Sequence, residues 1–242
     1  MRGPTPLILG VENVFLVWYG LDMLNKSDFI KMMLAESGAV SEEEPAGLFM
    51  AGLPGSGKTE ISKNLIKDSG VELLRIDMDE IAEMLPDYEP SRADEFRKPA
   101  TALLSELFKY ALHHKISFLM DGTFGSSQAD KNIKRSLKHG FRVQIIYALQ
   151  DPKIAWEFTV AREKIEHRAI KFEGFVEAYY KTINNINEIS KKYGDLISLD
   201  IAIKTPKNEV GGWVRGVSGS DIDEFVKAKY NKDELIEYIL GA

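Results

Sequence analysis

The sequence predicts an α/β fold on three observations: a mostly parallel sheet with helices on both faces, plus helical extensions at the N- and C-terminal ends. Short apolar runs rich in branched residues alternate with longer segments whose apolar residues recur at helical spacing. The first central run, Leu48 to Ala51, passes directly into Gly52-Leu-Pro-Gly-Ser-Gly-Lys-Thr59, which satisfies G-x-x-x-x-G-K-[ST] in full. Acidic residues end the next two runs, Asp77 and Asp79 after the second and Asp121 after the third. Together these predict a P-loop NTPase/kinase-type architecture with its ligands at the carboxyl ends of the strands.

Residues 1–45 read as an extension ahead of the core. Within it Ser27 is the expected N-cap of a helix over about 28 to 36, whose Phe29, Ile30, Met33 and Leu34 share a face and which Ser37-Gly38 ends. Ser41-Glu-Glu-Glu-Pro45 is a solvated connector and the expected boundary. The core spans 46–205. It starts with the strand before Gly52 and the helix that begins near Lys58, carrying Ile61, Leu65 and Ile66. Val71-Glu-Leu-Leu-Arg-Ile76 reads as the second strand, with a helix starting near Met78. After a turn between Pro86 and Pro90, a long helix over about 93 to 114 carries Leu103, Leu104, Leu107, Phe108 and Leu112. Ile116 to Met120 is the third strand. A helix through Asp130 to Lys138 follows, stopped by Gly140, and Phe141 to Leu149 is the fourth strand. Asp151-Pro152 opens a helix through Trp156, Val160 and Ile165. A further helix from about Phe175 to Tyr193 precedes a fifth strand over Leu196 to Ile203. Residues 206–242 form a C-terminal extension packed on the core, with a helix in Asp221 to Leu240 and no assignable motif.

With 242 residues, 44% hydrophobic and 28% charged, the chain has the composition of an ordinary globular protein able to bury a full core. A net charge of −6 argues against nucleic acid or an anionic membrane as the main partner. The absence of cysteine excludes disulfides, thiolate metal sites and a cysteine nucleophile. The apolar run from Pro6 to Leu21 is too short to span a membrane and is interrupted by Glu12 and Asn13. The expected compartment is the cytoplasm. Met23, Met32, Met33 and Met50 read as core or interface filler.

Gly52, Gly55 and Gly57 let the backbone wrap a phosphate chain with its N–H groups pointing inward, and Pro54, Ser56 and Glu60 complete the nucleotide-binding stretch. Lys58 is placed for the β- and γ-phosphates and the Thr59 hydroxyl for Mg²⁺, while the helix that starts there adds the positive end of its dipole. A P-loop by itself implies only a bound nucleotide. Asp79 stands where a carboxylate takes a proton from an acceptor hydroxyl during in-line phosphoryl transfer. Asp77 either holds Mg²⁺ through water or caps the following helix, and Asp121 is in the place of a Walker B carboxylate. Arg162 and Arg168, on or beside one helix, suit the two arms of a lid over the transferring phosphate.

Gly52 to Thr59, Ile76-Asp-Met-Asp79, Asp121-Gly-Thr123, Arg162 and Arg168 together resemble the zeta toxin family of small-molecule kinases, over roughly residues 46 to 200. The resemblance implies ATP, or GTP, as donor and transfer to a small-molecule hydroxyl, which in characterised members is the 3′-hydroxyl of UDP-N-acetylglucosamine. It also implies an antitoxin that blocks the nucleotide site. By position it makes Lys58 the phosphate lysine, Thr59 the Mg²⁺ ligand, Asp79 the base, and Arg162 and Arg168 the transition-state arginines. Asp121 and Thr123 then fall on the family's E-G-T substrate motif. The chain departs from that motif in having Asp121 for Glu, Phe124-Gly125 for Gly-Arg, and Ser105 where a substrate glutamate falls, with Glu106 one position away. Catalytic parts are thus better matched than acceptor parts. Two other readings stand beside this one: a kinase of an antibiotic or nucleic-acid 5′-hydroxyl, and a nucleotide-gated binding module with little catalysis.

Overall fold

A computed structural model of the chain describes residues 25–166 and 170–241. The apolar run Pro6 to Leu21, Met23 and Arg168 lie outside them. In chain order the first elements are α1 (Lys26–Ser37), β1 (Ala46–Gly52), α2 (Lys58–Ser69), β2 (Leu74–Asp77) and α3 (Met78–Glu83). A 3-10 turn at Pro90–Arg92 leads into α4 (Ala93–His113), followed by β3 (Phe118–Asp121), α5 (Gln128–Lys138) and β4 (Arg142–Leu149). The chain continues through α6 (Pro152–Glu166), α7 (Phe172–Tyr193), β5 (Ile197–Lys204), β6 (Val210–Val214), α8 (Ile222–Phe225) and α9 (Lys232–Leu240).

The strands form one sheet in the order β2-β3-β1-β4-β5-β6, parallel except for the last pair. β1 is central, as its burial requires: Phe49, Met50 and Ala51 are all buried, which only a strand covered on both faces tolerates. The main core sits where Phe49, Phe108, Phe118 and Phe141 meet, with Phe118 edge-on to Phe49 at 5.5 Å and to Phe108 at 5.3 Å between centroids. Each fully buried ring contributes about 1.5–3 kcal/mol. A smaller cluster on the other face packs Ile61 of α2 against Met50, Leu119 and Ile146. That packing fixes the helix behind the P-loop to the sheet.

The differences from expectation have local causes. The N-cap of α1 is Asn25, whose side chain accepts from Ser27 N at 2.7 Å, so Ser27 lies inside the helix instead of capping it. β2 begins only at Leu74, since Val71 and Glu72 are exposed beyond the edge of the sheet. Of the methionines, Met33 and Met50 are core, whereas Met32 is exposed. β6 was not anticipated: it pairs antiparallel with β5 and carries the sheet beyond residue 205 to Val214. The N-terminal extension is tied down as well, with Phe29 and Met33 in the main core and Ser41 bridged to Ile116. Among the described residues no helix is long and apolar enough to cross a membrane.

Candidate active site

All five parallel strands end on the same side, and the predicted residues gather there. The P-loop follows β1, Asp77 ends β2, Asp121 ends β3 and Lys204 ends β5. Gly55 has φ +74° and packs so closely on α6 that a Cβ there would collide with the Ala155 carbonyl oxygen and lie 2.6 Å from Thr159 Oγ1. Gly57, at φ +76°, precedes α2 directly, so the loop delivers its last amides to the helix start. Gly52 N donates to Thr123 O at 3.3 Å, which pins the loop to the end of β3. Ser56 is fully buried, and its Oγ has no hydrogen-bond partner among the described residues. Pro54 and Thr59 are half-buried, and Glu60 is exposed in the first turn of α2.

Lys58 lies half-buried at the start of α2, its Nζ donating to Leu53 O at 2.6 Å. Burial lowers its pKa to about 8; the carboxylates of Asp121, Asp77 and Asp79 act to raise it, and the Arg162 guanidinium to lower it further. All four groups are therefore close enough for their charge to act on Lys58. The structure thus brings together Lys58, Asp79, Asp121 and Arg162, while Arg168 lies outside the described residues.

A residue that sequence reasoning missed organises the carboxylates. Arg75, in the middle of β2, points to the same face as Asp77 two residues on, and the parallel register sets Asp77 beside Asp121. Its Nη2 donates at 2.7 Å to both Asp77 Oδ2 and Asp121 Oδ2, and its Nε donates at 2.9 Å to Glu80 Oε2. Its Nη1 contacts Ser62 Oγ, and that buried hydroxyl lies 3.0 Å from Asp121 Oδ2. Burial works to lower the Arg75 pKa, but Asp121, Asp77 and Glu80 outweigh it and the value is raised. Asp77 is nonetheless pushed up to about 6, because burial and the nearby Asp121 and Asp79 outweigh Arg75. The signal available in the sequence was an arginine inside an otherwise apolar strand, in phase with the aspartate at its end.

Asp77 caps α3, its Oδ1 accepting from Asp79 N at 2.8 Å, one of the two roles expected for it. That cap leaves the half-buried Asp79 in the first helical turn, beside a niche of about 10 Å³ lined by Met78, Ala82, Tyr88, Ala93 and Arg97. The niche has room for one small group such as a hydroxyl or a water. The Asp121 side chain is only 4% exposed and is directed at Arg75 and Ser62. The Thr123 hydroxyl accepts from Gly125 N at 3.3 Å, and its carbonyl accepts from Thr182 Oγ1 at 2.8 Å. Phe124, in place of the family's glycine, takes a left-handed backbone at φ 63° and buries its ring, the centroid 6.4 Å from that of Phe49.

A family model described as zeta toxin matches residues 32–215, most of the chain. The chain belongs to the zeta toxin family. It is accordingly a P-loop kinase. Among solved structures it is similar to the PezAT chromosomal toxin–antitoxin system of Streptococcus pneumoniae, with a TM-score of 0.66 and 16% identity over 89% of this chain and 93% of that one. It is also similar to the AvrRxo1-ORF1:-ORF2 structure with ATP, with a TM-score of 0.58 and 16% identity over 94% of this chain and 72% of that one. At such identities the likeness is one of fold. No curated protein matches the sequence.

Proposed function

We propose that this zeta toxin family kinase transfers the terminal phosphoryl group of ATP, or GTP, to a hydroxyl of a small molecule, with Asp79 as the base. The observation that carries this reading is a P-loop at the carboxyl end of β1 whose buried Ser56 hydroxyl has no hydrogen-bond partner among the described residues, with the charges of Asp121, Arg162, Asp77 and Asp79 all acting on Lys58. Lys58 holds the β- and γ-phosphates, the loop amides from Gly52 to Thr59 and Glu60 cradle the chain, and Arg162 with Arg168 offsets charge on the transferring group. Asp79 takes the acceptor proton once the hydroxyl enters the niche beside Tyr88 and Arg97.

The donor set suits Mg²⁺: Thr59 offers a hydroxyl at the start of α2, and Asp77, pushed up to about 6 by burial and by the nearby Asp121 and Asp79, offers a carboxylate whose charged form a divalent cation would favour. When bound, the ion neutralises phosphate charge.

A UDP-sugar such as UDP-N-acetylglucosamine is the first acceptor to test, with Asp121 and Thr123 as its contacts by family position. A different hydroxyl acceptor is favoured by one feature: Arg75 and Ser62 hold the Asp121 carboxylate inward, and the short Asp side chain has no reach past them. A protein partner covering the nucleotide site, as an antitoxin does, fits the toxin–antitoxin relative.

Transfer from labelled ATP with Mg²⁺ to UDP-N-acetylglucosamine, other UDP-sugars, nucleosides, an antibiotic panel and an oligonucleotide tests the reading, run beside Asp79→Asn. Base-dependent label on an acceptor is expected, with Asp79→Asn slowing transfer by about 10² to 10⁴ while ATP affinity is kept. Equal transfer by both proteins would remove Asp79 as the base. Slow hydrolysis alone, the same in both, would leave a nucleotide-gated binding module.

A further inference from the structure

We infer that Lys204, with Glu60 and Asn208, forms the edge of the nucleotide site that reads the nucleoside half of the donor; this rests on the kinase reading above. Lys204 ends β5, and its side chain is only 2% exposed, yet among the described residues its ammonium makes no hydrogen bond. Its ion-pair partner is Glu60 Oε2, at 3.9 Å, longer than a hydrogen bond. A buried lysine so weakly partnered is costly unless another group completes its shell. Burial accordingly lowers its pKa, against Glu60 and Glu209.

The ammonium is aimed at the P-loop. A Cβ built on Gly57 would lie 2.7 Å from Lys204 Nζ, 3.0 Å from Glu60 Oε2 and 3.1 Å from Asn208 Oδ1, so three polar side chains converge where that glycine has no side chain of its own. The turn between β5 and β6 is held in place there. Asn208 Nδ2 donates to Gly55 O at 3.3 Å, and the buried Gln150 donates from Nε2 to Asn208 Oδ1 at 3.2 Å and to Thr205 O at 2.9 Å.

The chemistry of this cluster separates it from the phosphate end. Lys58 and the loop amides are all donors, which suits phosphate. The Lys204 cluster pairs one cationic donor with the Glu60 carboxylate and the Asn208 carbonyl, and those acceptors repel phosphate but match ribose hydroxyls and ring amines. The ligand class is therefore the base and ribose of a nucleoside triphosphate, with Lys204 swinging from Glu60 to an acceptor atom on that half.

The test is equilibrium binding of ATP and of inorganic tripolyphosphate to the full chain and to Lys204→Met. The expected result is a loss of ATP affinity of about 10- to 100-fold, the span of a hydrogen bond to a charged group, with tripolyphosphate affinity changed by less than about twofold. If the variant binds ATP as the parent does, or loses both ligands equally, the inference is overturned and the kinase reading stands. A parent protein that binds neither ligand overturns both. Should Lys204→Met fail to fold, the parent labelled with periodate-oxidised ATP, whose aldehydes sit on the ribose, and then reduced with borohydride decides the matter. The expected label is on Lys204 and is blocked by ATP; label confined to Lys58 or to surface lysines overturns the inference.

Discussion

Arg75 donates to Asp121 at 2.7 Å from the neighbouring strand, and the same nitrogen donates to Asp77 at the same distance. One guanidinium thus holds two strand-end carboxylates in place behind Lys58. Removing one partner of a buried ion pair leaves uncompensated charge, so Arg75→Met is expected to cost about 3–5 kcal/mol in urea unfolding. Arg75→Lys should recover only part, since an ammonium lacks the fork that meets Asp77, Asp121 and Glu80 together. Combining Arg75→Met with Asp121→Asn should lose less than the two single losses added. Simple additivity would mean that the pair is not coupled.

Arg162 differs in that it is exposed on α6 while its charge is felt at Lys58. An exposed arginine's contacts with neighbouring side chains contribute at most about 1 kcal/mol to folding, so Arg162→Ala should cost no more stability than that. If it stabilises the transferring phosphate, phosphoryl transfer should fall by about 10² to 10³, mainly in kcat. Turnover within a few-fold of the parent would return Arg162 to the solvated surface.

Much of this could be read from the chain, and the remainder has specific causes. The P-loop was legible because phosphate binding by backbone amides demands glycines at fixed offsets, and α4 because its apolar residues keep one phase over five turns. Arg75 escaped notice because an isolated charge in a short apolar run gives no periodic signal of its own. β6 escaped because Gly211 and Gly212 mimic a loop and the strand lies at the sheet edge, where alternation is weak. The Lys204 cluster joins Gly57, Gln150 and Asn208, residues far apart in sequence whose meeting depends on the β5–β6 turn folding back over the P-loop.

Glycines with the same backbone twist are not equivalent, and Gly55 in the P-loop and Gly140 in the turn between α5 and β4 make the comparison. Both have positive φ, +74° and +79°, but a Cβ on Gly140 meets nothing within 4 Å, whereas one on Gly55 meets the Ala155 carbonyl oxygen and Thr159. Gly140→Ala should therefore cost only the left-handed strain, about 1 kcal/mol. Gly55→Ala adds a collision with a helix backbone and should cost about 2–4 kcal/mol, with nucleotide affinity lost as the loop is displaced. Urea unfolding of both variants beside ATP titration checks this; equal losses in stability would mean that the contact with α6 is slack.

Tyr147, in the middle of β4 and 5% exposed, has its phenol pushed well above the ordinary range by burial, with the nearby Tyr179 acting in the same direction. In the unfolded chain the same group titrates near pH 10. The folded state therefore keeps the proton to higher pH than the unfolded state, so its contribution is intact below about pH 10 and is lost as pH rises beyond that. Above pH 10 the parent should lose up to about 1.4 kcal/mol per pH unit through this group. Tyr147→Phe removes the ionisable oxygen while keeping the ring, so the two proteins should be similarly stable at pH 7 and diverge above pH 10, with the variant the more resistant. Thermal unfolding at intervals from pH 9 to pH 12 decides it, and parallel curves for the two proteins would mean that water reaches the phenol without unfolding.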